Sequence, residues 1–245
     1  MLEVNNFSKK YKGSTKFSAE NISFCVDDGE VLGLLGGNGA GKSTTIKSIV
    51  GILPFDQGQI IVNGYDVAKV PAKAKQTVGY APDDHSVYDK LTGREYVNYI
   101  GSLYSVPKNL KAERLDYYAD LFRIANDLDN QISSYSHGMK QKICLIGSLI
   151  HEPKLWVLDE PMMGLDPTTT DEVKKCIREY ARKGNTVLFS SHNLDIVQEI
   201  CDTIGIIHKG HLVKYFKLKD AQKDPRFDLK ELFFDITKEG VEGIK

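Results

Sequence analysis

Two short runs of this sequence carry residue types suited to phosphate chemistry. Gly36-Gly37-Asn38-Gly39-Ala40-Gly41-Lys42-Ser43 fits the spacing G-x-x-x-x-G-K-[ST]. Glycines at 36, 37, 39 and 41 let backbone N–H groups, including those of Asn38 and Ala40, curl around phosphate oxygens. Lys42 supplies a mobile positive charge for β- and γ-phosphates, Ser43 a hydroxyl for Mg²⁺, and Thr44 a further phosphate contact. The second run, Leu155-Trp156-Val157-Leu158-Asp159-Glu160, is an apolar stretch ending in two acids. Asp159 suits a direct or indirect Mg²⁺ carboxylate, and Glu160 is then placed to polarise an attacking water as general base. Trp156 reads as core.

These groups need a scaffold, and the surrounding pattern supplies one. Val31 to Leu35 is a continuous apolar run, as in a strand buried on both faces, and it leads straight into the glycine loop. A helix is expected from Lys42 to Gly51, and strands over Phe17 to Val26 and Gln59 to Val62, the latter closed by an Asn63-Gly64 turn. The middle of the chain changes period. Tyr96, Tyr99, Ile100 and Leu103, then Leu115, Tyr118 and Phe122, recur at helical spacing, so a mostly helical lobe is expected from about Asp83 to Glu152. Alternation then returns: strand Leu155 to Leu158, helix Thr168 to Arg182, strand Thr186 to Ser190, helix Asn193 to Ile200, then short β runs over Thr203 to His208 and His211 to Phe216. Strands alternating with helices imply a parallel sheet with covered faces. The expected fold class is therefore α/β, a P-loop NTPase core with a helical insertion. The charged tail after Lys217 has no clear pattern.

Composition narrows the class. The 245 residues suffice for one large domain, and 32 Lys+Arg against 33 Asp+Glu give a net charge of −1, which argues against a dedicated nucleic-acid binder. No apolar run approaches the length needed to span a bilayer, and the first residues lack the pattern of a secretory signal. The four cysteines, Cys25, Cys144, Cys176 and Cys201, are widely spaced and are expected as buried, reduced thiols. At this level kinases, GTPases, helicases and transport ATPases all remain open.

A third run decides among them. Tyr135-Ser136-His137-Gly138-Met139-Lys140-Gln141 lies shortly before the Asp-Glu pair. It resembles the L-S-G-G-Q signature of ABC ATPases, in the Y-S-x-G-M-K form found among exporter subunits. The order of phosphate loop, signature, Asp-Glu pair and a histidine after a strand is similar to that family from about Leu2 to Phe216. Ser136 can cap the following helix, and Gly138 leaves amides open at its start, which makes an anion site.

The resemblance implies more. The signature would bind the γ-phosphate held by a second copy, so ATP hydrolysis would need a head-to-tail dimer, homo- or heterodimeric. Tyr11 matches the aromatic that stacks on adenine. His192, after Val187-Leu188-Phe189-Ser190-Ser191, matches the switch histidine contacting the γ-phosphate, and Gly164-Leu165-Asp166 matches a loop crossing the dimer interface. Gly79-Tyr80-Ala81-Pro82-Asp83 matches the segment linking Mg²⁺ to the helical lobe and the membrane partner. The implied layout is one ABC cassette. Residues 1–82 and 153–216 form a RecA-like core with an N-terminal antiparallel β subdomain, 83–152 the signature lobe, and 217–245 a tail. Its implied setting is the cytoplasmic face of the cell membrane, on separately encoded permease subunits. Glu231-Leu232-Phe233-Phe234 looks like the ABC-2 export branch.

Some positions depart from the pattern. Asp83 stands where Gln or Glu is usual, His137 for a glycine, Met139 for Gln, Gly37 for Pro, and Met162 and Met163 for polar residues. Slow turnover is the resulting expectation. Two other readings stay open here: a degenerate cassette that binds ATP as a regulatory module, and a soluble non-transport ABC ATPase. His85, His151, His208 and His211 have no motif context and are expected to face solvent.

Overall fold

The computed structural model describes residues 1–84 and 87–238. The chain opens with strands β1 (Leu2–Lys9) and β2 (Ala19–Val26), followed by β3 (Val31–Leu35) and helix α1 (Lys42–Ile49). Strands β4 (Gln57–Val62) and β5 (Tyr65–Asp66) form a hairpin, followed by α2 (Pro71–Gln76) and β6 (Val78–Ala81). Asn63 and Gly64 both take positive φ (48° and 81°), the geometry a two-residue hairpin turn requires.

Three helices come next: α3 (Gly93–Leu103), α4 (Lys108–Leu121) and α5 (His137–Leu149). The chain then alternates through β7 (Leu155–Asp159), α6 (Pro167–Arg182), β8 (Thr186–Ser191), α7 (Leu194–Ile200) and β9 (Thr203–His208). It finishes with β10 (His211–Lys217), α8 (Leu218–Ala221) and α9 (Leu229–Lys238).

Two sheets result. One is antiparallel in the order β2-β1-β4-β5; the other runs β10-β9-β3-β8-β7-β6, parallel except for β10. Strand β3 lies between β8 and β9, and all five of its residues are buried. Its side chains alternate between two cores. Leu32 and Leu34 face α1 and the antiparallel sheet, together with Ile46, Ile49, Val4 and Ile60. Val31 and Leu35 face the other side with Trp156, Leu158 and Phe189, in a core that runs on into the helical lobe. Full burial of a strand on both faces is what a continuous apolar run encodes.

Several expectations need correction. The β2 strand starts at Ala19, so Phe17 precedes it. On α3, Tyr96 is buried and Ile100 half-buried, but Tyr99 and Leu103 are 44% and 62% exposed, so the helical stripe is wider than the packed face. Cys25 is exposed, because it lies on the outward phase of β2; the other three thiols are buried and free. His151 does not face solvent. Its ring stacks on Tyr104 at 3.6 Å, and Nε2 lies 3.1 Å from Val78 O. His208 is half-buried at the end of β9, with Nε2 enclosed, while His211 is exposed beside Glu20. His85 falls outside the described residues. The tail forms α8 and α9, with Leu229 fully buried and Leu232, Phe233 and Ile236 packed on the core.

Candidate active site

The glycine loop joins the C-terminal end of buried β3 to α1. Gly41 occupies the cap position of α1 with φ 112°, and any side chain there would overlap Ser18 O. Among the described residues no side chain caps α1, so its first N–H groups stay available to an anion. Neighbours hold the loop: Ala40 N donates to Gly37 O at 3.1 Å, and Gly210 N to Ala40 O at 2.8 Å. Lys42 is 8% exposed, and Nζ donates to Gly36 O at 2.7 Å.

The carboxylates arrive on β7, beside β8 in parallel register, with Asp159 opposite Ser190. Ser190 Oγ donates to Asp159 Oδ1 at 2.5 Å and accepts from Glu160 N at 3.1 Å. Asp159 is 1% exposed, and burial holds its carboxyl above the usual carboxylate range, against the pull of the Ser190 hydrogen bond. The next residue, Glu160, has φ 50°, an unusual backbone state for a residue with a side chain. Its Oε2 lies 2.9 Å from His192 Nδ1, and the two side chains are 18% and 70% exposed.

A cavity of about 360 Å³ gathers these groups; its lining includes the loop from Gly37 to Thr44, Asp83, Asp159 and Glu160. Gly36 sits buried at the loop's entry. Tyr11 stands at the edge, 44% exposed, its hydroxyl 3.3 Å from Thr44 Oγ1. The structure thus brings together the phosphate loop, Asp83, Asp159, Glu160, His192 and Tyr11.

The donor set suits a hard divalent cation. Asp159 Oδ2 is buried without a hydrogen-bond partner, and Ser43 lines the same cavity. Among the described residues, no group of three or more His, Cys, Asp or Glu side chains is arranged to hold an ion. A magnesium ion here would complete its oxygen shell with phosphates and water, as Mg²⁺ generally does.

The signature residues lie elsewhere. Ser136 caps α5, its Oγ accepting from Met139 N at 3.3 Å, and both Ser136 and His137 are exposed. Neither Ser136 nor Gly138 lines the cavity. Three structural participants had no sequence role. Ser190 joins the two acids, Ser18 packs on Gly41, and Gln141 donates to Pro161 O at 2.9 Å from full burial. Ser190 had a usable signal, since a hydroxyl at the end of an apolar strand faces the end of its neighbour.

The model of the family described as "ABC transporter" matches residues 19–163, more than half of the chain. The chain belongs to the ABC transporter family. Family membership makes this cassette an ATP-binding and ATP-hydrolysing subunit that uses Mg²⁺. The linearmycin resistance ATP-binding protein LnrL of Bacillus subtilis is 36% identical to this ABC cassette, over 87% of the chain and 68% of the relative. The ABC transporter ATP-binding protein NatA, also of Bacillus subtilis, is 31% identical over 98% of the chain and 100% of its own length. A solved ATP-binding subunit of an ABC transporter superposes with a TM-score of 0.90 at 32% identity, covering 96% of this chain and 99% of that one. A dimeric bacterial ABC cassette, MJ0796, shares the fold at 18% identity and a TM-score of 0.81, over 89% of the chain and 99% of its own.

Proposed function

We propose that this cassette is the motor of a membrane exporter and hydrolyses ATP at a site completed by a second cassette. The Glu160–His192 pair, at the mouth of the cavity that the phosphate loop walls, carries the reading. Tyr11 stacks on the adenine. Gly36, Gly37, Asn38, Gly39, Ala40 and Gly41 present backbone amides to the phosphates, and Lys42 and Thr44 bind them directly. Ser43 and Asp159 would hold Mg²⁺, with Asp83 behind them, and the ion would supply positive charge against the phosphates. Glu160 takes a proton from the attacking water. His192 fixes the carboxylate through Oε2 and faces the γ-phosphate. Ser136 and Gly138 bind the γ-phosphate held by the opposite chain.

The layout follows from the same reading. Residues 1–82 and 153–216 form the nucleotide core, 83–152 the signature lobe and 217–245 a tail. The names of LnrL and of the probable multidrug ABC transporter ATP-binding protein YbhF of Escherichia coli support an export role. Separate permease subunits would supply the path across the membrane; among the described residues no helix is long and apolar enough to cross one. They would dock at the cytoplasmic face, in the cleft between lobe and core lined by Ile52, Tyr80, Ile100, Leu103, Tyr104 and His151. This cleft has a volume of about 300 Å³.

Glu160→Gln tests the chemistry. The variant should bind ATP normally and persist as an ATP-bound dimer, with turnover down by about 100-fold or more, the usual yield of a general base. Wild-type phosphate release from this variant would remove Glu160 from the role.

A further inference from the structure

The loop that follows Glu160 is gripped by the first turns of α5. Gln141 Nε2 donates to Pro161 O at 2.9 Å, and Lys142 Nζ stands 3.6 Å from Asp166 Oδ2. The backbones nearly touch, since a methyl group on Gly138 would lie 2.5 Å from Gly164 O. His137 completes the grip. The three atoms nearest to a methyl built on Gly164 all belong to the His137 ring, with Nε2 at 3.1 Å and Cδ2 overlapping it. The family pattern has glycine at this position, which offers no such surface.

This contact matters because of what lies at the other end of the loop. Glu160 has φ 50°, and such a backbone persists only where its surroundings over-determine it. Upstream, Glu160 N is tied to Ser190 Oγ. Downstream, Met163 N closes a turn onto Glu160 O at 3.2 Å, and Gly164 follows at φ 77°. Gly164 is therefore the end of the turn that aims Glu160, and the His137 ring is the wall it rests on.

We infer that His137 is a positioning residue: its ring buttresses Gly164 and so sets the direction of the Glu160 carboxylate. The inference rests on the assignment of Glu160 as the general base.

Steady-state ATP hydrolysis and thermal melting of the full chain test this, using His137→Gly, His137→Phe, Gly164→Ala and the double variant that combines His137→Gly with Gly164→Ala. His137→Gly should lower kcat by about tenfold while KM for ATP stays within about twofold, because the loss is confined to the reacting state. His137→Phe keeps a ring against the loop and should retain most of kcat. Gly164→Ala should lower both kcat and Tm, because φ 77° strains any side chain there, and should do so by a smaller amount once the His137 ring is gone, since contacting residues are non-additive. Unchanged kcat in His137→Gly overturns the inference, as does an equal penalty for Gly164→Ala in both backgrounds. The melting cycle reads the contact without any turnover. If Glu160→Gln stays active while His137→Gly is slow, the base assignment fails and the buttress stands. If Glu160→Gln is dead and His137→Gly is normal, the buttress alone fails.

Discussion

The starts of α1 and α5 are both prepared for an anion, yet they differ in almost everything else. The first is capped by Gly41 without a side-chain bond, sits at the end of a buried strand, and faces Asp83, Asp159 and Glu160 across one cavity. The second is capped by an exposed Ser136, which stands outside the cavity that holds those acids. One end is a nearly finished site; the other is half of one. Under the proposed function, two anion-binding ends of which only one faces the acids divide the chemistry between a pair of chains.

Mixing defective chains gives the strongest test of that contrast. Lys42→Ala and Ser136→Asp, the latter keeping a helix-capping side chain on α5, should each lose at least about 100-fold in hydrolysis, the scale expected when a positioned charge or donor facing a phosphate is lost or opposed. The first should fail to bind fluorescent ATP, and the second should bind it as well as wild type. An equimolar mixture should recover activity, because the mixed dimer keeps one intact composite site. A mixture as inactive as its parts would break the comparison.

A second test probes the junction between lobe and core. Burial pushes the His151 imidazole down to about 4, with Arg114 adding to that effect and the Val78 O hydrogen bond opposing it. The folded state therefore holds His151 neutral where the unfolded chain would protonate it near 6.5. This stability is fully present above about pH 6.5 and is lost as pH falls toward about 4, by on the order of 3 kcal/mol. Denaturant melts of His151→Gln at pH 7 and pH 5 should show a smaller acid loss than wild type. A parallel pH response would place His151 outside this junction.

The smallest effect is expected at α6. Asp166 caps it, with Oδ1 accepting from Thr169 N at 2.9 Å and Oδ2 from Thr169 Oγ1 at 2.6 Å. These bonds hold the carboxyl down to about 2. Its contribution is present above about pH 4 and is lost as pH falls through about 2. Asp166→Ala should cost about 1 kcal/mol and lower Tm by about 2–4 °C at neutral pH. Calorimetry showing no change would mean the cap is replaced by water.

The sequence spoke most clearly where function rests on consecutive residues. The loop from Gly36 to Ser43 and the strand ending at Asp159 are short, and their backbone context is visible as apolar runs. The hydroxyl of Ser190 was harder to place, because it matters only through strand register with Asp159. Tyr99 and Leu103 share helical phase with Tyr96, but α3 packs along a narrower stripe than that phase suggests. His151 carries no local hint of Tyr104, whose ring comes from α3's C-terminal cap far upstream. The tail did carry a usable period, since Leu229, Leu232, Phe233 and Ile236 recur at i, i+3, i+4 and i+7 and are the residues α9 packs on the core, but half-exposed Phe234 and the surrounding charges masked it.

Strand order also decides when this protein acquires its chemistry during synthesis. All four strands of the antiparallel sheet lie within the first 66 residues, so that sheet can close early. Strand β3 cannot follow, since its neighbours β8 and β9 begin only at Thr186 and Thr203. At a usual elongation rate the apolar run Val31 to Leu35 waits roughly 8 to 30 s for its first partner. Until then the glycine loop has no rigid strand behind it, and a half-made chain presents sticky surface rather than a nucleotide grip. The ribosome-bound intermediate is therefore the stage at which the apolar run Val31 to Leu35 is most exposed to wrong partners.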